Sequence, residues 1–207
     1  MIARQPVTVL AAKGKATAAK GFGAAKPGQA GQKGIAVDAP CPCGSSALYQ
    51  GCCGPYHAAP ATVPSPEALL RSRYSAYAAK DPSFIADTTH PDSAEYTGSR
   101  TTYQRAVKQT MARLDPLALQ ILSSSPGADE NEAFITFRLK RRIRDPEAPK
   151  NAPEVDEVTE RSRFVRVNGR WFFQDSEFPE PDGAAPAAAA AKEPEAAPKK
   201  KGLLPFF

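Results

Sequence analysis

The chain has 207 residues, 42% hydrophobic and 24% charged, with four cysteines and a formal net charge of +5. One modest domain is expected, and no apolar run nears the ~20 residues that a membrane-spanning helix needs. Residues 1–37 hold six bases and no acid, residues 177–207 four lysines against five acids, and the middle seventeen of each. The pI of 9.0 therefore belongs to the leader, and nucleic acid is not an expected partner of the neutral middle.

The first 37 residues are rich in alanine, glycine and lysine, with a loose AAKG repeat at Ala11–Gly14 and Ala18–Gly21. Such a segment buries too little to fold and reads as a disordered basic leader. Its bases without acids, and the sequence Val9-Leu10-Ala11-Ala12, suit an organellar transit peptide, plastid before mitochondrial. A plain basic linker on a cytoplasmic protein is the competing reading.

All four cysteines then fall within PCPCGSSALYQGCCGP, at Cys41, Cys43, Cys52 and Cys53. A C-x-C pair and a C-C pair eight residues apart put four thiolates within reach of one tetrahedral ion, as a closed structural zinc site requires. Two disulfides are possible by count, but adjacent cysteines bridge each other only with strain. The spacing also differs from the usual iron–sulfur patterns, and there is no C-x-x-C redox pair. Pro40 and Pro42 extend the first arm, Gly44 to Ser46 allow a turn, and Leu48-Tyr49 begin a short helical turn that Gly51 ends. His57 could replace a cysteine, but with four thiolates present it reads as a packing residue.

Ser65 and Pro66 have the order of N-cap then N1 proline, with Glu67 in the first turn, and predict a helix to about Lys80. Leu70, Tyr74 and Tyr77 form its core-facing stripe. A second helix is predicted over 82–87, with Phe84 and Ile85 inward, and a third over 102–114. Beyond Pro116 the period changes. Leu117, Leu119 and Ile121 alternate, as do Ala133, Ile135, Phe137 and Leu139, predicting two half-buried strands joined by a turn-rich connection over 123–131. Residues 145–157 read as a long exposed loop. Asn168-Gly169 between FVRV and RWFF predicts a two-residue hairpin that sets Phe164 opposite Phe173, Arg166 opposite Trp171 and Val165 opposite Phe172. From residue 179 the chain is rich in alanine and proline and reads as a disordered tail; its GLLPFF end could serve as a docking peptide.

Helices followed by antiparallel strands give an α+β roll. The string P-C-P-C-G-S-S-x-L-Y-x-x-C-C-G-P closely resembles the SEC-C motif, the zinc-binding segment at the carboxyl end of the preprotein translocase ATPase SecA. LLRSRYSAYAAKDPSFIADTTHPDS and ERSRFVRVNGRWFFQD resemble the YchJ family, in which that motif precedes a nuclear transport factor 2-like domain. The resemblance covers roughly residues 39–178 and is weak over 92–157. It implies a zinc knuckle (38–57) joined to a cone-shaped roll (58–178) of three helices on a curved antiparallel sheet.

Nuclear transport factor 2-like enzymes work with His/Asp or Asp/Tyr pairs inside the cone. His90 would be the base here, oriented by Asp87, Asp175 or Glu160; its structural role would be to tie a loop to the helix pair. Arg71 and Arg73 project from different sides of the first helix, so at most one joins the core stripe, where it could pair with Glu160 or Asp175. Tyr74 and Trp171 could line a pocket, although core packing is the default for such aromatics. The preferred reading is a zinc-binding adaptor whose knuckle contacts a protein, the ribosome or the translocation machinery, with structural Zn2+ and no catalysis assigned. The alternative is a small-molecule-binding or hydrolase/isomerase-type enzyme around His90. The adaptor reading expects chelation to abolish partner capture and leave the cone folded.

Overall fold

A computed structural model describes residues 34–58, 63–144 and 154–179. The leader up to residue 33 and the GLLPFF end lie outside these residues.

Each predicted helix forms with its cap. Helix α2 (Pro66–Ala79) begins where the Ser65 hydroxyl accepts the Ala68 N–H, and ends at Lys80 in the left-handed conformation. The Lys80 ammonium then donates to the carbonyls of Met111 and Leu114 and to Asp115 at 2.5, 3.0 and 2.9 Å, tying the end of α2 to the chain where the third predicted helix passes into the first strand. Helix α3 (Pro82–Thr88) is capped by Asp81, whose carboxylate accepts the N–H groups of Ser83 and Phe84. Helix α4 (Arg100–Arg113) starts two residues earlier than predicted because Ser99 provides the cap. An unpredicted five-residue helix, α1 (Gly54–Ala58), follows a single 3-10 turn at Tyr49–Gly51. Gly54 is required at their junction, since a Cβ there would lie 2.7 Å from the Tyr49 carbonyl.

Four antiparallel strands make one sheet in the order β1-β2-β3-β4: β1 Leu114–Pro126, β2 Glu132–Ile143, β3 Val155–Val167 and β4 Arg170–Glu177. The last hairpin has the predicted register, with Phe164 opposite Phe173, Val165 opposite Phe172 and Arg166 opposite Trp171. Asn168 and Gly169 take φ of 51° and 78°, the left-handed pair that a two-residue turn between twisted strands demands.

Three strand expectations are corrected. β1 continues through Ser123–Ser125 to Pro126, paired with Ala133–Thr136, so the connection is shorter than 123–131. Serines are poor markers there because a long partner strand supplies their ladder bonds. Leu117 leaves the inward set and is 41% exposed, because a register shift between Pro116 and Ala118 turns its side chain out. β3 begins at Val155, inside the predicted loop 145–157, whose residues 145–153 lie outside the described set.

Helix α2 lies at the centre. The predicted stripe is buried, but so are Ser72, Arg73 and Ser75. The helix packs on the sheet with one face and on the cysteine segment with the other, so a single stripe underestimates its burial. One contiguous core holds Cys41, Cys43, Tyr49 and Cys53 together with Leu70, Phe137, Phe164 and Phe173.

Candidate functional site

The Cys41 N–H donates to the Ala47 carbonyl, and the Tyr49 N–H to that of Ala39, at 2.8 and 2.9 Å. These bonds and a Pro40–Leu48 bridge close residues 40–48 into a small loop. It carries Cys41 and Cys43 on one arm, while the 3-10 turn delivers Cys52 and Cys53 from the other. All four sulfurs lie within 4.8 Å of one another, with Cys43–Cys52 at 3.5 Å and Cys52–Cys53 at 3.8 Å. A tetrahedral ion with ~2.3 Å bonds to sulfur sets its ligands about 3.8 Å apart, so the donor set fits a metal. The cysteines are free rather than disulfide-bonded.

Crowding makes the four thiols share charge. Hydrogen bonds from Cys43 and Cys53 hold Cys41 far below the usual thiol range, whereas the same contacts with Cys41 and Cys43 push Cys53 far up. Four thiolates together need a bound cation. Outer contacts fix the sulfurs: the hydroxyl of Ser45 lies 3.1 Å from Cys52 Sγ, and that of Ser75, on α2, lies 3.6 Å from Cys41 Sγ. Such contacts orient metal ligands.

His57 is not a fifth ligand. Its Nε2 donates to the Ser72 carbonyl at 2.8 Å, which leaves Nδ1 to accept the Tyr49 hydroxyl at 2.7 Å. Both nitrogens are thus engaged in the neutral ring, and burial lowers its pKa. Its ring packs 4.5 Å from that of Phe84. His57 is a strut between the knuckle, α2 and α3.

The two arginines of RSRY separate. Arg71 Nη1 donates to the Cys43 carbonyl at 2.9 Å while its Nε pairs with Glu67, so it clamps the knuckle. Arg73 is fully buried; its Nη1 donates to the Ile85 carbonyl and to the hydroxyls of Thr88 and Thr89, and its guanidinium lies 4.6 Å from the Phe173 ring centre. Tyr74 is buried on α2, and burial pushes its phenol up to about 12. Trp171 is buried on β4 with Arg166 over its ring at 5.5 Å.

His90 pins the segment after α3 to the sheet. Its backbone N–H donates to the Phe173 carbonyl at 2.8 Å, and its Nδ1 accepts the Asp92 N–H. The carboxylates considered as its orienting partners have other contacts: Asp87 with Arg100, Asp175 with Arg163 and Glu160 with Ser162. Glu160 is fully buried. Burial above all raises its pKa to about 7, and raises that of half-buried Glu95 to about 8, with Glu160 adding to the latter. Sequence reasoning missed Glu95, Ser75 and Ser176, which join these clusters only through the tertiary fold.

The family model for the middle NTF2-like domain of YchJ matches residues 65–176. A UPF0225 protein of Deinococcus radiodurans is 35% identical over 137 residues, 66% of this chain and 88% of its own. One of Streptomyces coelicolor is 35% identical over 144, covering 67% and 95%. The solution structure of a SEC-C motif containing protein from Rhodopseudomonas palustris is similar at TM-score 0.55 and 32% identity, covering 69% of this chain and 100% of that one. A SEC-C motif containing protein from Psychrobacter arcticus shares the fold at TM-score 0.52 and 23% identity, covering 73% and 86%.

Proposed function

Since the chain belongs to the YchJ family, we propose that it is a zinc-binding adaptor, with the knuckle as the contact surface for a protein partner on the ribosome or the translocation machinery. The four-cysteine cluster carries this reading. Four protein ligands close the coordination sphere and leave no position for a reactive water, so the ion organises a surface. Sulfur ligands in tetrahedral array favour zinc. Outside the cluster, residues Gly44–Leu48 are exposed, and Leu48 presents an apolar side chain at 47% exposure. An apolar anchor on a metal-stiffened loop loses little conformational freedom on docking.

Elemental analysis of purified full-length protein should find about one zinc per chain. Co-sedimentation with purified ribosomes, and capture of purified translocation ATPase, then test the surface with Leu48→Asp, which alters no sulfur. The variant should keep its zinc and lose at least about tenfold in binding. Zinc-free protein, or a Leu48→Asp variant that binds both partners as the parent does, overturns the proposal.

A further inference from the structure

The four sulfurs of the knuckle differ in their access to solvent. Cys41, Cys43 and Cys53 are at most 5% exposed, whereas Cys52 is half-buried. The space beside it is open. Residues 44–48, 50 and 51 are exposed, and a Cβ on Gly51, the residue before Cys52, would meet nothing within 4 Å. Cys41 is instead turned toward α2, its Sγ 3.6 Å from the Ser75 hydroxyl. A reagent arriving from water therefore reaches Cys52 before the other three.

A second sulfur is poised beside it. Cys43 Sγ lies 3.5 Å from Cys52 Sγ, nearer than that of the adjacent Cys53 at 3.8 Å. A disulfide of about 2.05 Å needs the first pair to close by about 1.5 Å, whereas bridging neighbours in sequence strains the peptide between them. The chain that joins Cys43 to Cys52 can follow that movement. Its first part, residues 44–48, is the exposed rim of the knuckle and holds Ser46 at φ 63°. That left-handed conformation costs a serine energy and persists only while its surroundings enforce it. Those surroundings are the hydrogen bond from the Cys41 N–H to the Ala47 carbonyl, the contact of the Ser45 hydroxyl with Cys52 Sγ and the metal when it is bound.

We propose that Cys52 is the oxidation site of the knuckle and Cys43 its resolving partner, so that a hydroperoxide releases the metal by joining the two. The inference rests on the metal part of the proposed function and needs no particular partner protein. With hydrogen peroxide, the Cys52 thiolate attacks one oxygen; the S–O bond forms, the O–O bond breaks and hydroxide leaves. The Cys43 thiolate then attacks the sulfenic sulfur, forming the S–S bond and expelling a second hydroxide. Two electrons pass from the thiolates to the peroxide, and both hydroxides take up protons from the solvent. Cys41 and Cys53 remain as ligands, too few for a zinc ion that is held by four. Metal loss unfastens the rim that carries Leu48, while Cys41 keeps its place against α2.

Full-length zinc-loaded protein is treated with hydrogen peroxide at about millimolar concentration, with a chromogenic zinc indicator present and the remaining thiols counted. About one zinc should be released for every two thiols lost. Peptide mass mapping of the first disulfide formed should join Cys43 to Cys52, with Cys41 and Cys53 still open to alkylation. Dithiothreitol and added zinc should then restore the metal. Without peroxide, substoichiometric maleimide should label Cys52 about tenfold ahead of the other three. The zinc content before oxidation tests the knuckle reading separately: a zinc-free protein counts against that reading, and the disulfide map still decides the pairing. Zinc retained while thiols are oxidised, a first disulfide through Cys41 or Cys53, or first labelling of another cysteine overturns the proposal.

Discussion

At the scale of single residues, the cone and the knuckle use buried polar groups in opposite ways. His57 is buried with both nitrogens satisfied, whereas Glu160 is buried with one oxygen bonded and one not. Burial lifts Glu160 from the ordinary carboxyl range to about 7, so the folded state binds more protons than the unfolded state between about pH 4.5 and 7. Stability from this group is therefore fully present below the unfolded pKa and is lost as pH rises through the folded one. A shift of this size is worth up to about 3 kcal/mol. Glu160→Gln should flatten the fall in melting temperature between about pH 5 and 8 relative to the parent; parallel pH profiles for the two would refute the assignment. The cysteine ligand set was legible in sequence because its spacing is local. The cluster around Glu160 was only half legible: Glu160, Arg73 and Asp175 could be named, but not their arrangement. Glu95 lies in a polar stretch, Pro91 to Arg100, with no periodicity, and only the return of that stretch over β4 brings it to Glu160 and Ser176.

Helix starts were readable where a cap residue is followed by proline, and the Ser99 cap, which lacks one, was not. Ser65, Asp81 and Ser99 each accept N–H groups at the start of a helix, and two of these caps precede proline, so those boundaries were marked by single residues. Asn168-Gly169 marked the hairpin in the same way. At Gly169 a Cβ would meet nothing within 4 Å, so the cost of a side chain there is purely one of backbone conformation. Gly169→Val should lower stability by about 1–2 kcal/mol without disturbing the core, and a melting temperature equal to the parent's would show that the turn does not need its positive φ. The elements that escaped sequence reading lack such marks. β1 runs through three consecutive serines because β2 is long enough to pair them, and Leu117 turns outward at an irregularity that its own alternating pattern does not encode. Helix α1 is too short to show a period; it exists because Gly54 fits beneath the Tyr49 carbonyl and His57 reaches α2.

At the scale of the whole molecule, α2 joins the two clusters. From one side it gives Arg71 to the Cys43 carbonyl, the Ser72 carbonyl to His57 and the Ser75 hydroxyl to Cys41; from the other it gives Arg73 to α3 and the Phe173 ring. The knuckle is thus part of the cone's core, and the sequence-based expectation that chelation spares the cone sits poorly with this packing. A metal that binds the folded knuckle and not the unfolded chain stabilises everything that folds with it. Trp171, the single tryptophan, is buried on β4 opposite Arg166 of β3 and so reports the sheet of the cone. Chelation should lower the melting temperature read by Trp171 fluorescence by at least about 10 °C, the shift expected for a few kcal/mol in a domain of this size. His57→Ala, which removes the strut but no sulfur, should keep the metal, lower the same transition, and narrow the difference between loaded and chelated protein. A Trp171 transition unmoved by complete metal removal would mean that the two halves fold separately. In that case α2 would be a contact surface between them rather than the element through which metal loading governs the order of Arg73 and the cone interior.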